Sequence, residues 1–238
     1  GFFMYDGTVK QLPSLVEDYV FTTQGGAPGI NYDASEITYA YHNTLYNEVG
    51  WFYASNNSQQ INRGVTYNFL EQTWTTGSLA RTSYTDSQTF NLPYATQYSL
   101  NGTPSFPVIN GLTNRYGSSR YWAQETGNNQ IDSAGVTTAI SSYILSGDYD
   151  LSEQGLAGDG EYIMRVSRFI PDFKNLSGNA KITLFFRNYP AQAEQSDSNG
   201  PLITGPFTIT TSTNFISTRV RGRQVSLKIE NDAVNETW

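Results

Sequence analysis

The chain contains no cysteine and a single histidine. The first absence excludes disulfides, thiolate nucleophiles and zinc–thiolate sites, and it fits a reducing site of synthesis. The second leaves His42 as the one residue on which a Ser-His-Asp arrangement could be built. Basic residues are scarce too: 14 Lys and Arg against 21 Asp and Glu give a net charge of −7. A chain so acidic does not wrap nucleic acid nonspecifically as a whole, although local basic patches are compatible with it. No apolar run is long enough to cross a bilayer as a helix, and no basic-then-apolar start resembles a secretion signal. A Gly-rich phosphate loop with its lysine, an EF-hand loop and a sialidase-type Asp box are all missing.

What the chain does have is aromatic and turn-forming residues. Of its 238 residues 14% are aromatic, led by 17 Tyr and 13 Phe, and 21 are Gly, while only 15% are charged. Aromatic and β-branched side chains suit pleated surfaces, and Gly and Asn suit turns, so this composition predicts an all-β protein. The length accommodates one large β-domain or two small ones. We divide it into propeller-like blades over 1–150 and a β-sheet closing region over 151–238 that packs on them. The opening Gly1-Phe2-Phe3-Met4-Tyr5 already reads as a strand and the chain stops at Trp238, so we read it as a segment of a longer polypeptide.

Along the chain, Phe2–Tyr5 and Thr8–Leu12 flank Asp6-Gly7 and predict a tight hairpin. Asp18–Thr22, Glu36–Tyr41, Glu48–Ala54, Arg63–Leu70 and Gly77–Tyr84 read as strands, with Trp74 following a short turn. Residues 36–85 thus give about four short strands, the pattern of one propeller blade. A second such unit is expected over 115–150, with Val136–Leu145 as one of its strands, and Gln88–Gly111 as a long loop between the two. Further on, Glu161–Phe169, Lys181–Arg187, Phe207–Thr211 and Arg219–Glu230 alternate as strands. No segment shows helical periodicity.

No strong catalytic motif emerges. His42 beside Asn43 reads as a surface or turn histidine. Asp148, Asp150, Asp159 and Glu161 could pair for glycoside hydrolysis or hold calcium, but Asp and Gly are also the ordinary residues of turns. Trp51-Phe52-Tyr53 and Tyr121-Trp122 could stack on sugars; their spacing within strands favours a role in the core. The most pointed feature is Ser217–Glu230. As one strand it places Arg219, Arg221 and Arg223 on one face, continued by Val225, Leu227 and Ile229. Three partners fit those arginines: nucleic-acid phosphates, acids of a neighbouring subunit, or acids of this chain. The acidity of the chain favours carboxylates over phosphate.

Several segments, taken in order, resemble one family. Trp51-Phe52-Tyr53, Arg63-Gly64-Val65-Thr66-Tyr67-Asn68-Phe69, Glu71-Gln72-Thr73-Trp74 and Gly77-Ser78-Leu79-Ala80-Arg81-Thr82 are similar to a blade of the packaged-DNA stabilisation (tail hub or nozzle) proteins of short-tailed bacteriophages. Ser142–Asp150, Ser167–Phe173 and Thr218–Gln224 are similar to later motifs of the same family. The resemblance covers most of residues 1–230. It implies a non-enzymatic virion protein with no cofactor or metal, synthesised in the host cytoplasm and built into the phage tail. It further implies a ring of identical subunits, usually sixfold, contacting portal, adaptor and other tail proteins and, transiently, the packaged DNA. The ring closes the channel after packaging and passes DNA at ejection. Two departures stand out: Ala123-Gln124-Glu125 occupies the place of the family's His-Glu pair, and the family continues beyond the position of Trp238. The alternative from another class is a carbohydrate-binding or glycoside-hydrolysing β-propeller.

Overall fold

The computed structural model describes residues 1–22, 29–99, 118–131, 134–151, 162–188, 202–231 and 233–238. It divides into two compact units, Gly1–Thr126 and Gly127–Trp238. Residues 127–150, grouped with the blades on sequence grounds, fall in the second unit. Antiparallel sheets dominate both units, as the composition predicts, and among the described residues these sheets do not close into a barrel or a propeller.

In the first unit, β1 (Phe3–Tyr5) and β2 (Val9–Gln11) form the expected hairpin, with Gly7 at φ 105 in its turn. Asp18–Thr22, expected as a strand, is part of a short helix, α1 (Glu17–Phe21). One helical turn separates Val16 from Val20, and Val20 joins Phe2, Tyr53 and Val65 in the core. Five residues are too few for a helical period to show in the sequence. A 3₁₀ segment (Tyr32–Ile37) replaces the start of the next expected strand. Asn31 sets it up, its side-chain oxygen accepting from the Asp33 N–H at 3.0 Å, the local competition that Asn offers to strand pairing.

β3 (Tyr39–Asn43), β4 (Glu48–Tyr53), β5 (Arg63–Asn68) and β6 (Thr73–Gly77) then pair in sequence order as a four-stranded antiparallel meander. As expected, Trp74 follows a short turn, in which Gln72 takes a positive φ; it lies within β6 opposite Tyr67. One face of the meander sends Trp51, Tyr53, Val65 and Trp74 onto Phe2. The other stacks Phe52 on Tyr41 with ring centroids 4.6 Å apart. Gly50 makes that second face possible, because a Cβ there would sit 2.4 Å from Tyr41 Cε1. β7 (Ser83–Thr85), β8 (Tyr94–Ser99) and β9 (Ser118–Ala123) form a three-stranded sheet. β8 corrects the expectation of an unbroken loop over 88–111. Its polar Thr96 and Gln97 hide a strand that pairs with β7 just upstream and with β9 downstream, where Thr96 meets Tyr121 and Gln97 meets Arg120.

In the second unit, β10 (Asn129–Ile131) pairs with β11 (Thr137–Ala139). β12 (Ser142–Leu145), β13 (Tyr149–Asp150), β15 (Ala180–Arg187), β16 (Leu202–Ile209) and β18 (Gln224–Asn231) make a five-stranded sheet. β14 (Met164–Phe169) and β17 (Ile216–Gly222) make a separate two-stranded ribbon. Val136–Leu145, expected as one strand, is thereby split between β11 and β12, which have different partners. Ile182, Leu184 and Phe186 point inward as their alternation predicts, and all three are buried. The ribbon covers them: Met164, Val166 and Val220 pack against Leu184, Phe186 and Val225. Phe169 and Ile216 meet Ala180, Ile182 and Ile209 further along.

Candidate functional site

Arg219, Arg221 and Arg223 do not lie on one long strand. The chain leaves the ribbon at Gly222 and enters the five-stranded sheet at Gln224. Gly222 runs close along β15, where a Cβ would lie 3.1 Å from Phe186 Cβ and 3.2 Å from the Arg187 carbonyl oxygen. The Arg223 N–H donates to that same carbonyl at 2.9 Å. This step between layers breaks the period-two continuity expected from the sequence. The three arginines are exposed, whereas Val225 is buried and Leu227 packs on the core. A change of parity at a single residue leaves no mark on the alternation pattern.

The ribbon's outer face carries more cation than the sequence candidates alone. Arg165 on β14 stands directly opposite Arg221 on β17. Between Val166 and Arg168 the register shifts, and Thr218 ties the irregularity together by donating its hydroxyl to the Val166 carbonyl at 2.5 Å. Beyond the shift Arg168 is opposite Ser217, and its guanidinium lies 5.6 Å from the centre of the Phe215 ring. Arg165, Arg168, Arg219, Arg221 and Arg223 are all exposed. None makes an ion pair with a described carboxylate. The reading in which this chain's own acids neutralise them finds no partner among the described residues. Arg165 and Arg168 were visible as cations on an alternating segment, but only strand pairing reveals that they share the face of Arg221.

The other candidates are distributed differently. Asp148 meets Arg187 at 3.0 Å, and Asp150 lies in β13 opposite Gln224. Asp159 and Glu161 lie outside the described residues. Among those described, no three acidic or histidine side chains gather as a metal site would require. His42 Nδ1 approaches Asp86 Oδ2 at 3.5 Å. The nearby hydroxyls of Thr44 and Ser87 are turned to Asp86 Oδ1, not to the imidazole, so the order nucleophile–base–acid is not formed. Burial works upward on the Asp86 carboxyl, but hydrogen bonds from Ser87 and Thr44 outweigh it and hold it below the usual range.

The aromatic segments are mainly structural. Phe52 and Tyr53 are buried, and Trp51 packs against Phe2 with ring centroids 5.4 Å apart. Burial pushes the Tyr53 phenol up to about 12. Trp122 donates its indole N–H to Gln97 Oε1 at 2.9 Å and lies 5.1 Å under the buried Arg81 guanidinium. Tyr121 is exposed and stacks on Tyr94 at 5.0 Å.

One polar cluster has no signature in the sequence. The side-chain amide of buried Asn43 donates to Glu48 Oε2 at 3.2 Å and to Glu125 Oε1 at 3.3 Å. Burial, and then the charge of Glu125, raises the Glu48 carboxyl above its ordinary range; burial also raises Glu125. The 82 residues between Asn43 and Glu125 explain why no local motif marks it.

No protein-family model matches this chain, and no curated protein sequence is significantly similar to it.

Proposed function

We propose that this chain is a structural protein of a short-tailed phage tail, a hub or nozzle subunit. It acts as one of a ring of identical copies that closes the DNA channel after packaging and passes DNA at ejection. The observation that carries the reading is the blade. Of the four segments similar to a tail-hub blade, residues 51–53 lie in β4 and residues 63–69 almost wholly in β5, while the other two overlap the two ends of β6; β3 completes a four-stranded meander. A four-stranded antiparallel sheet is the unit from which propellers are repeated. On this reading further blades come from neighbouring copies joined by heterologous contacts.

The test is electron microscopy of native particles labelled with an antibody to this chain, with the mass of the purified protein measured in parallel. Label on a rotationally symmetric density below one capsid vertex, and a ring-sized mass, are the expected results. A monomer that is absent from particles would overturn the proposal. The carbohydrate-binding alternative draws on one observation, the exposed Tyr121 ring stacked on Tyr94. It predicts that glycans quench or shift aromatic fluorescence and that Tyr121→Ala abolishes the effect.

A further inference from the structure

We infer that the outer face of the β14–β17 ribbon binds the phosphate backbone of duplex DNA, with Arg165, Arg168, Arg219 and Arg221 as its contacts and Arg223 at its edge. This deepens the tail reading by saying where DNA touches the subunit, and it rests on that reading only for the source of the polyanion.

The two strands and Arg223 hold five of the chain's 14 basic residues and not one carboxylate. In a protein of net charge −7, ordinary surface would intersperse the two signs. Here two arginines face each other across the strand pair, an arrangement that costs stability by like-charge repulsion. Cα atoms of such directly opposed residues lie roughly 4.5–5.5 Å apart. Arg219 and Arg221 are two residues apart on one strand, about 6.6–6.8 Å at ordinary strand rise. The ribbon therefore presents a short lattice of forked donors to solvent.

What lies between the arginines chooses the partner. The remaining outward positions of the paired region are Ser167 and Ser217, both exposed. The ribbon's apolar side chains, Met164, Val166, Phe169, Ile216 and Val220, are all committed to the core beneath. A protein partner, including a second copy of this chain, would be expected to find an apolar centre on the face it covers, with charge at the rim. Within the paired strands this face has charge at the centre and no apolar residue; the one exposed ring beside it, Phe215, lies past the strand end under Arg168. Guanidinium and hydroxyl donors without carboxylates are the groups that contact phosphate and sugar without reading sequence. The sequence alone favours carboxylates of a neighbouring subunit, because acids are abundant in the chain; the composition of the face reverses that preference.

The binding has a quantitative signature. A protein that neutralises Z phosphates of B-DNA shows log K falling against log salt with a slope of about −0.9Z. With three to five arginines engaged, the expected slope is roughly −3 to −4.5. The experiment titrates the full chain into a fluorescein-labelled 30-base-pair duplex of mixed sequence, by anisotropy, across a series of salt concentrations. Arg165→Glu/Arg221→Glu should lower affinity at least tenfold and make the slope less steep by about 2. Arg165→Lys/Arg221→Lys should keep most of it, which separates lost charge from lost folding. Lys10→Glu, an exposed lysine of the first unit, should leave the slope unchanged.

No binding at low salt, or binding that the double reversal does not weaken, overturns the inference. So does displacement of DNA by an equal charge of poly-L-glutamate, or a self-association that the reversal abolishes while DNA binding persists; either assigns the face to an acidic protein. DNA binding by a chain that proves absent from phage tails would overturn the tail reading and leave the phosphate site standing.

Discussion

Replacing Phe186 by Ala tests the packing that gives the arginine ribbon its orientation. Phe186 is 2% exposed on the inner face of β15 and touches the cluster of Leu184, Val220 and Val225. Removing its ring forfeits the transfer free energy of the lost atoms and leaves a cavity, a change that typically costs about 3–5 kcal/mol. Domains are stable by only about 5–15 kcal/mol, so the variant should stay folded but open far more often. At about 1.4 kcal/mol per factor of ten, the lower figure corresponds to a rise of roughly a hundredfold in the opening equilibrium. Amide hydrogen exchange followed by mass spectrometry reads this directly. Peptides from β15 and β18 should exchange faster by that factor, and those from β14 and β17 with them, because Val166 and Val220 lose the surface they rest on. Ile170→Ala provides the comparison, since that side chain is 67% exposed and surface changes usually fall within about 0.5 kcal/mol. Equal exchange in the two variants would refute the two-layer core. Acceleration in β15 and β18 but not in the ribbon would show that the ribbon is held by something other than that core.

Three further outcomes follow from other contacts. Gly50→Ala places a methyl group 2.4 Å from the Tyr41 ring, and overpacking of this kind costs about 1–3 kcal/mol; the denaturant midpoint should fall accordingly, and an unchanged midpoint would mean the ring moves freely. Glu48 and Glu125 are held above the ordinary carboxylate range, so at these sites the folded chain binds more protons than the unfolded one. Their contribution to stability therefore falls as pH rises from about 4.5 towards the raised values. Glu48→Gln keeps an acceptor for Asn43 and should raise the neutral-pH melting temperature and flatten this part of the pH profile; a steeper profile would contradict the assignment. Asp148→Asn weakens the contact of exposed Asp148 with half-buried Arg187 and should cost up to about 1 kcal/mol, as solvent-screened ion pairs do, measured by urea unfolding.

The local elements whose signal is short in range are legible from the residues alone. The Asp6-Gly7 hairpin, the strands around Trp51 and Val65 and the inward run of Ile182, Leu184 and Phe186 all follow from turn chemistry and period-two alternation, which act over fewer than ten residues. Arg219, Arg221 and Arg223 stand out in the same way as the residues to explain. The elements with no local signal are very short or held by non-local contacts: α1 is one turn and a half stabilised by packing on Phe2, and β8 is a strand because β7 and β9 pair with it. That β17 and β18 lie in different layers is a matter of packing between distant segments, since the step occurs at Gly222 where β15 leaves no room for a side chain. The same pairing set Arg165 directly opposite Arg221 from more than fifty residues away in the chain and put Arg168 opposite Ser217 on the same ribbon. Charge patterns belong to surfaces, and a surface exists only once strands have chosen their partners and each has turned one face to the core.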